Sequence, residues 1–131
     1  MKQAVFMEKY PIFELTLAKD ECKFATTAEI IAELTAKVEA HPIAKMIGHF
    51  DHYAHTKSID GEINPDIKDA QHIVFCFGTK IPNAQVMAVR PRSIGVTEFA
   101  DHFVIAFLEP PMPVATEAMI GWVKSLSKSA E

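Results

Sequence analysis

The sequence predicts an α+β domain: a mostly antiparallel sheet with two main helices and one short helix packed on one face. Three observations carry that prediction. Three segments, at residues 12–17, 72–77 and 103–108, are either alternating or bulky and apolar on both faces, as strands are. Two segments only, one opening at Thr26 and one after Pro113, carry apolar residues at helical spacing. Long crossovers between strands are few, which disfavours a parallel sheet. The chain has 131 residues and no internal repeat or composition break, so it reads as a single domain, 1–131.

The elements follow in order. In Ile12-Phe13-Glu14-Leu15-Thr16-Leu17, Phe13, Leu15 and Leu17 share one side of a strand. Cys22–Phe24 reads as its continuation or a short return strand. Thr26 with Glu29 forms a capping-box pattern, and Ile30, Ile31, Leu34 and Val38 then make one apolar stripe. Pro42 forces His41 out of the helical region and ends that helix. Ile43 to Phe50 reads as a strand, Tyr53 to Ser58 as a short helical turn, and residues 59–66 as a polar connection. His72–Phe77 is a strand ended by Gly78. A short helix is expected within Ile81–Arg90, and a loop over Arg90-Pro91-Arg92-Ser93-Ile94-Gly95. Phe99 to Glu109 is the last strand. A stiff Pro110–Pro113 link leads to a helix over about 113–128 that buries Ala115, Ala118, Met119, Trp122, Val123 and Leu126.

Composition excludes several function classes. Seventeen acidic against thirteen basic side chains give a net charge of −4, and Arg90 and Arg92 are the only arginines. Nucleic acid is therefore not an expected partner, because its backbone requires a basic face. No apolar run approaches a membrane span, and the start of the chain does not read as a signal peptide, so a cytoplasmic protein is expected. Cys22 and Cys76 form no CxxC pair. The five glycines stand apart, so there is no phosphate-cradling loop, and there is no G-x-S-x-G elbow.

Chemistry concentrates in His49-Phe50-Asp51-His52-Tyr53-Ala54-His55. On a strand, His49 and His55 would lie about 20 Å apart, too far for one ion. On a helix, His49/His52 and His52/His55 are neighbours, but the three do not converge. A strand-to-helix change near Asp51 is expected, leaving one or two imidazoles at a pocket. His49, His52 and His55 are the candidate metal or haem ligands. His52 and Asp51 are the candidate catalytic pair, with His52 as general base. Arg90 and Arg92, two apart around a proline, suit a carboxylate or phosphate, the competing reading being a solvated loop or salt bridges across a dimer. Cys76, mid-strand among apolar residues, suits an inert thiol. His72 and His102 read as structural residues at strand starts, although either could join the same pocket if those strand ends are adjacent.

Several of these segments resemble a known family. The helix ending near His41, Ile47-Gly48-His49-Phe50-Asp51-His52, and Ile73-Val74-Phe75-Cys76-Phe77-Gly78 followed by Thr79-Lys80-Ile81-Pro82 resemble domain of unknown function 302. The likeness spans about residues 26–109 and implies a compact bacterial or archaeal α+β fold, often dimeric, with no established activity. It departs from that family at Val96-Thr97-Glu98-Phe99, where a Leu-Pro is usual, and in its C-terminal helix.

The function expected is binding of a small molecule in a pocket at the Asp51-His52 strand end. Asp51, His52 and His55 would line it with Phe75, Phe77 and Met87, and Arg90 and Arg92 would hold an anionic group. A metal or haem protein and a small acid/base enzyme are the alternatives. Binding is favoured over catalysis, and no cofactor is firmly implied. Because one helical layer covers one face of a sheet whose strands are apolar on both, a homodimer is expected.

Overall fold

A computed structural model describes residues 1–129. The chain runs β1 (Lys2–Phe6), β2 (Tyr10–Ala18), α1 (Thr27–Ala40), β3 (Lys45–Asp51), α2 (His52–Ser58), β4 (Asp69–Cys76), β5 (Arg92–Glu98), β6 (His102–Leu108) and α3 (Pro113–Lys124). The six strands form one antiparallel sheet in the order β1-β2-β6-β5-β4-β3. Helices α1 and α3 cover one face.

That covered face holds the core. Strand alternation turns Phe13 and Leu17 of β2, Ile73 and Phe75 of β4, Ile94 and Val96 of β5, and Phe103, Ile105 and Phe107 of β6 to the same side. The apolar stripe of α1, Ile30, Ile31, Leu34 and Val38, packs on them with Ala115, Met119, Trp122 and Val123 of α3. Thr26 caps α1, its hydroxyl accepting from the Glu29 amide at 3.1 Å, and His41 ends it before Pro42. Leu126 is buried too, but beyond the end of α3.

The structure departs from these expectations at several places. Lys2–Phe6, unassigned by the sequence pattern, is edge strand β1, closed onto β2 by a turn with Met7 at φ 54° and Glu8 at φ 62°. The stretch read as a loop at residues 90–95 is mostly β5, a central strand. Arg92, Ile94 and Val96 point to the core while Ser93, Gly95 and Thr97 alternate away, so proline and glycine masked a period-two pattern. The helix expected within Ile81–Arg90 shrinks to a 3₁₀ turn at Gln85–Val89. Cys22 makes only an isolated bridge to Ser127.

The opposite face of the sheet has no helical layer among the described residues. Its central surface is made of small and medium side chains: Ala70, Val74, Gly95, Thr97, Val104 and Ala106. The short helix α2 packs on β4 at one end of this surface.

Candidate functional site

Asp51 sits where β3 turns into α2. Its Oδ1 accepts from the Ala54 amide at 2.8 Å, capping the helix start. This fixes the strand-to-helix change expected from sequence and directs the next side chain, His52, back over the uncovered face. There His52 meets His72 of β4, with ring centroids 4.6 Å apart in an edge-on arrangement. Phe50 completes the cluster, 4.5 Å from the His52 ring and 5.5 Å from the His55 ring.

His72 lies mid-strand, not at a strand start, and its neighbour across β5 is Gly95. A Cβ on Gly95 would stand 2.9 Å from His72 Nε2, so the ring occupies space that only glycine leaves free. His72 Nδ1 is cut off from solvent and has no hydrogen-bond partner among the described residues. Burial first, and then the charge that His52 carries when protonated, pull His72 below the ordinary imidazole range. It is a neutral imidazole at pH 7.

Beside the two imidazoles runs a trough of about 250 Å³ over Ala70, Gly95, Thr97, Val104 and Ala106, walled at one end by His52 and His72. Among the described residues, no acidic or basic side chain other than the histidines lines it. It can accept a molecule of modest size that is largely uncharged and offers a hydrogen-bonding edge to the imidazoles.

The structure divides the remaining candidates. His49 belongs to the other side of β3, donating through Nε2 to Gln71 Oε1 at 2.6 Å, while Gln71 in turn donates to Asp69 at 2.8 Å. His49, His52 and His55 therefore do not converge, and no group of three His, Cys, Asp or Glu side chains able to hold a metal ion occurs among the described residues. Asp51 is engaged as a helix cap and makes no hydrogen bond to His52. Phe75 and Phe77 lie in the core beneath the helices, on the far side of the sheet from His52. Met87 is exposed on the 3₁₀ turn. Arg90 and Arg92 line a separate cavity with Phe77. The single pocket expected from sequence is thus two sites on opposite faces. Sequence reasoning read His72 as structural, with a place in the pocket only if strand ends were adjacent, and it missed the trough residues Gly95, Thr97 and Ala106. The available signal was the alternation through residues 92–98 with a lone glycine on its outward side.

A family model matches residues 1–128, nearly the whole chain, and it describes a family of unknown function, DUF6858. The chain belongs to the DUF6858 family. This corrects the resemblance to domain of unknown function 302. That likeness rested on short Asp-His and Phe-Gly motifs within residues 26–109, whereas the DUF6858 match takes in the β1–β2 hairpin and α3 as well. No curated protein and no solved structure matches this DUF6858 chain. Among its described residues no helix is long and apolar enough to cross a membrane.

Proposed function

We propose that this DUF6858 protein binds a small, largely uncharged molecule on the uncovered face of its sheet, with His52 and His72 as the polar anchors. The observation that carries this reading is the seat of His72. Its Nδ1 is buried without a partner among the described residues, which costs about 1–3 kcal/mol, while Nε2 of the same ring stands over Gly95 at the wall of a trough. A fold that needed only packing would place an apolar side chain there. The trough's small floor residues leave room for the ligand, and the neutral His72 offers a donor or an acceptor at Nε2.

A thermal-shift screen over metabolites tests the proposal. Hits should lose their stabilising effect in both His52→Ala and His72→Leu. An uncharged hit that survives both substitutions places the ligand elsewhere and refutes this site. The general-base reading of His52 has less support, because Asp51 does not orient the imidazole and no other carboxylate among the described residues bonds to it.

A further inference from the structure

Arg92 is a buried cation. It is 7% exposed, and no carboxylate among the described residues lies within salt-bridge distance of it. Its guanidinium donates to the carbonyls of Val89 (3.0 Å) and Leu108 (2.6 Å). Three of the five N–H donors of an arginine then remain, and the one on Nε has no partner among the described residues. Burial lowers its proton affinity, yet a guanidinium stays charged near neutrality. An unpaired charge in an apolar setting is costly unless something supplies the counterion.

The surroundings add further positive potential. Arg90 folds its guanidinium over Gly78, where any Cβ would collide with it. The 12-residue helix α3 starts beside the same cavity with Pro113 in its first turn, and Met112 provides no side-chain cap. The first intrahelical bond runs from the Thr116 amide to the Met112 carbonyl, so the Val114 and Ala115 amides have no acceptor in the helix. The cavity measures about 60 Å³, and no acidic side chain among the described residues lines it. Apart from the arginines its walls are apolar, with Phe77, Val86, Pro110 and Met112 prominent.

We propose that this cavity is a second binding site, for a small monocarboxylate whose carboxyl group meets Arg92, Arg90 and the start of α3 and whose short tail packs on the apolar wall. The volume suits roughly four to six non-hydrogen atoms, on the scale of one water per 10–15 Å³. The apolar wall favours a carboxylate with a tail over inorganic phosphate, which would lose hydration without packing in return. The site lies on the helix-covered side of the sheet and is independent of the His52–His72 trough.

Calorimetric titration of the full chain with isobutyrate, its neutral isostere isobutyramide, and inorganic phosphate tests the assignment. Isobutyrate should bind in the millimolar range or tighter, and isobutyramide and phosphate at least about tenfold more weakly. Arg90→Gln should weaken isobutyrate about tenfold, Arg92→Gln should abolish binding, and His72→Leu should leave it unchanged. If Arg92→Gln does not fold, Arg90→Gln and the cavity-filling Ala115→Leu decide. No isobutyrate binding by folded wild-type protein overturns the proposal. So does equal binding of isobutyramide or phosphate, or binding unaffected by Arg90→Gln.

Discussion

Replacing His72 by Leu should stabilise the protein while abolishing its sheet-face site. The magnitude follows from the geometry. Removing a buried nitrogen that has no partner recovers about 1–3 kcal/mol. The edge-on contact with the His52 ring is lost, at about 0.5–1.5 kcal/mol. Leucine is close enough in size to cover Gly95, so little cavity term arises. The net expectation at pH 7.5 is a gain on the order of 1 kcal/mol. The same substitution should change the pH dependence. His72 is depressed in the folded state, chiefly by burial, so below about 6.5 the unfolded chain binds a proton that the folded chain resists. Its contribution is complete above about pH 6.5, is lost as pH falls below that value, and levels off past the lowered folded-state value. The slope it adds cannot exceed about 1.4 kcal/mol per pH unit. Urea denaturation at pH 7.5, 6.5 and 5.5, followed by far-UV circular dichroism and by the single buried tryptophan, Trp122, measures both effects. His72→Leu should show a higher midpoint at pH 7.5 and a flatter decline toward pH 5.5. A loss of more than about 1 kcal/mol at pH 7.5, or an unchanged slope, would refute the assignment of His72 as an unpartnered, ligand-facing imidazole.

Three further predictions concern other parts of the fold. A second copy of the chain is proposed to shield part of the uncovered, apolar sheet face, so sedimentation at micromolar concentration should give a dimer, and a clean monomer rejects it. At the β1–β2 turn, Met7 and Glu8 both hold positive φ, the conformation of a type I′ hairpin that favours asparagine followed by glycine; the double substitution Met7→Asn with Glu8→Gly should stabilise by about 1–2 kcal/mol, read as a higher melting temperature. Burial raises the Glu98 carboxyl, but hydrogen bonds from Lys19 (2.8 Å) and Thr27 (2.9 Å) and the lysine's charge outweigh it and hold Glu98 below its ordinary value. That contribution is present above about pH 4.5 and lost as pH falls through the lowered value, so Thr27→Val should cost about 1 kcal/mol at pH 7 and less at pH 3. An equal cost at both pH values contradicts that account.

How far the sequence reveals this molecule depends on which forces set each element. The α1 and α3 stripes were legible because core packing and helical period agree, and so were β2, β4 and β6, whose bulky side chains leave little choice of state. Strand β5 was not, since Arg92, Pro91 and Gly95 each argue locally for a loop. Their presence in or beside a central strand is the informative conflict. A protein violates local preference where something other than folding requires it. Gly95 gives up strand propensity and side-chain packing, and what it admits is the His72 ring. Arg92 gives up the apolar character of its core-facing position, and what it brings is a guanidinium at a cavity with no carboxylate partner among the described residues. The histidine-rich stretch stands out for its density, yet it provides only His52 to the trough. The two residues that define the candidate sites lie three apart on one strand, pointing to opposite faces, so β5 is the element through which both sites are anchored to the sheet. Neither could be inferred from its own residue type. Each becomes visible once the strand is in register, because only then do the outward alternation of Gly95 under His72 and the inward alternation of Arg92 toward α3 acquire neighbours.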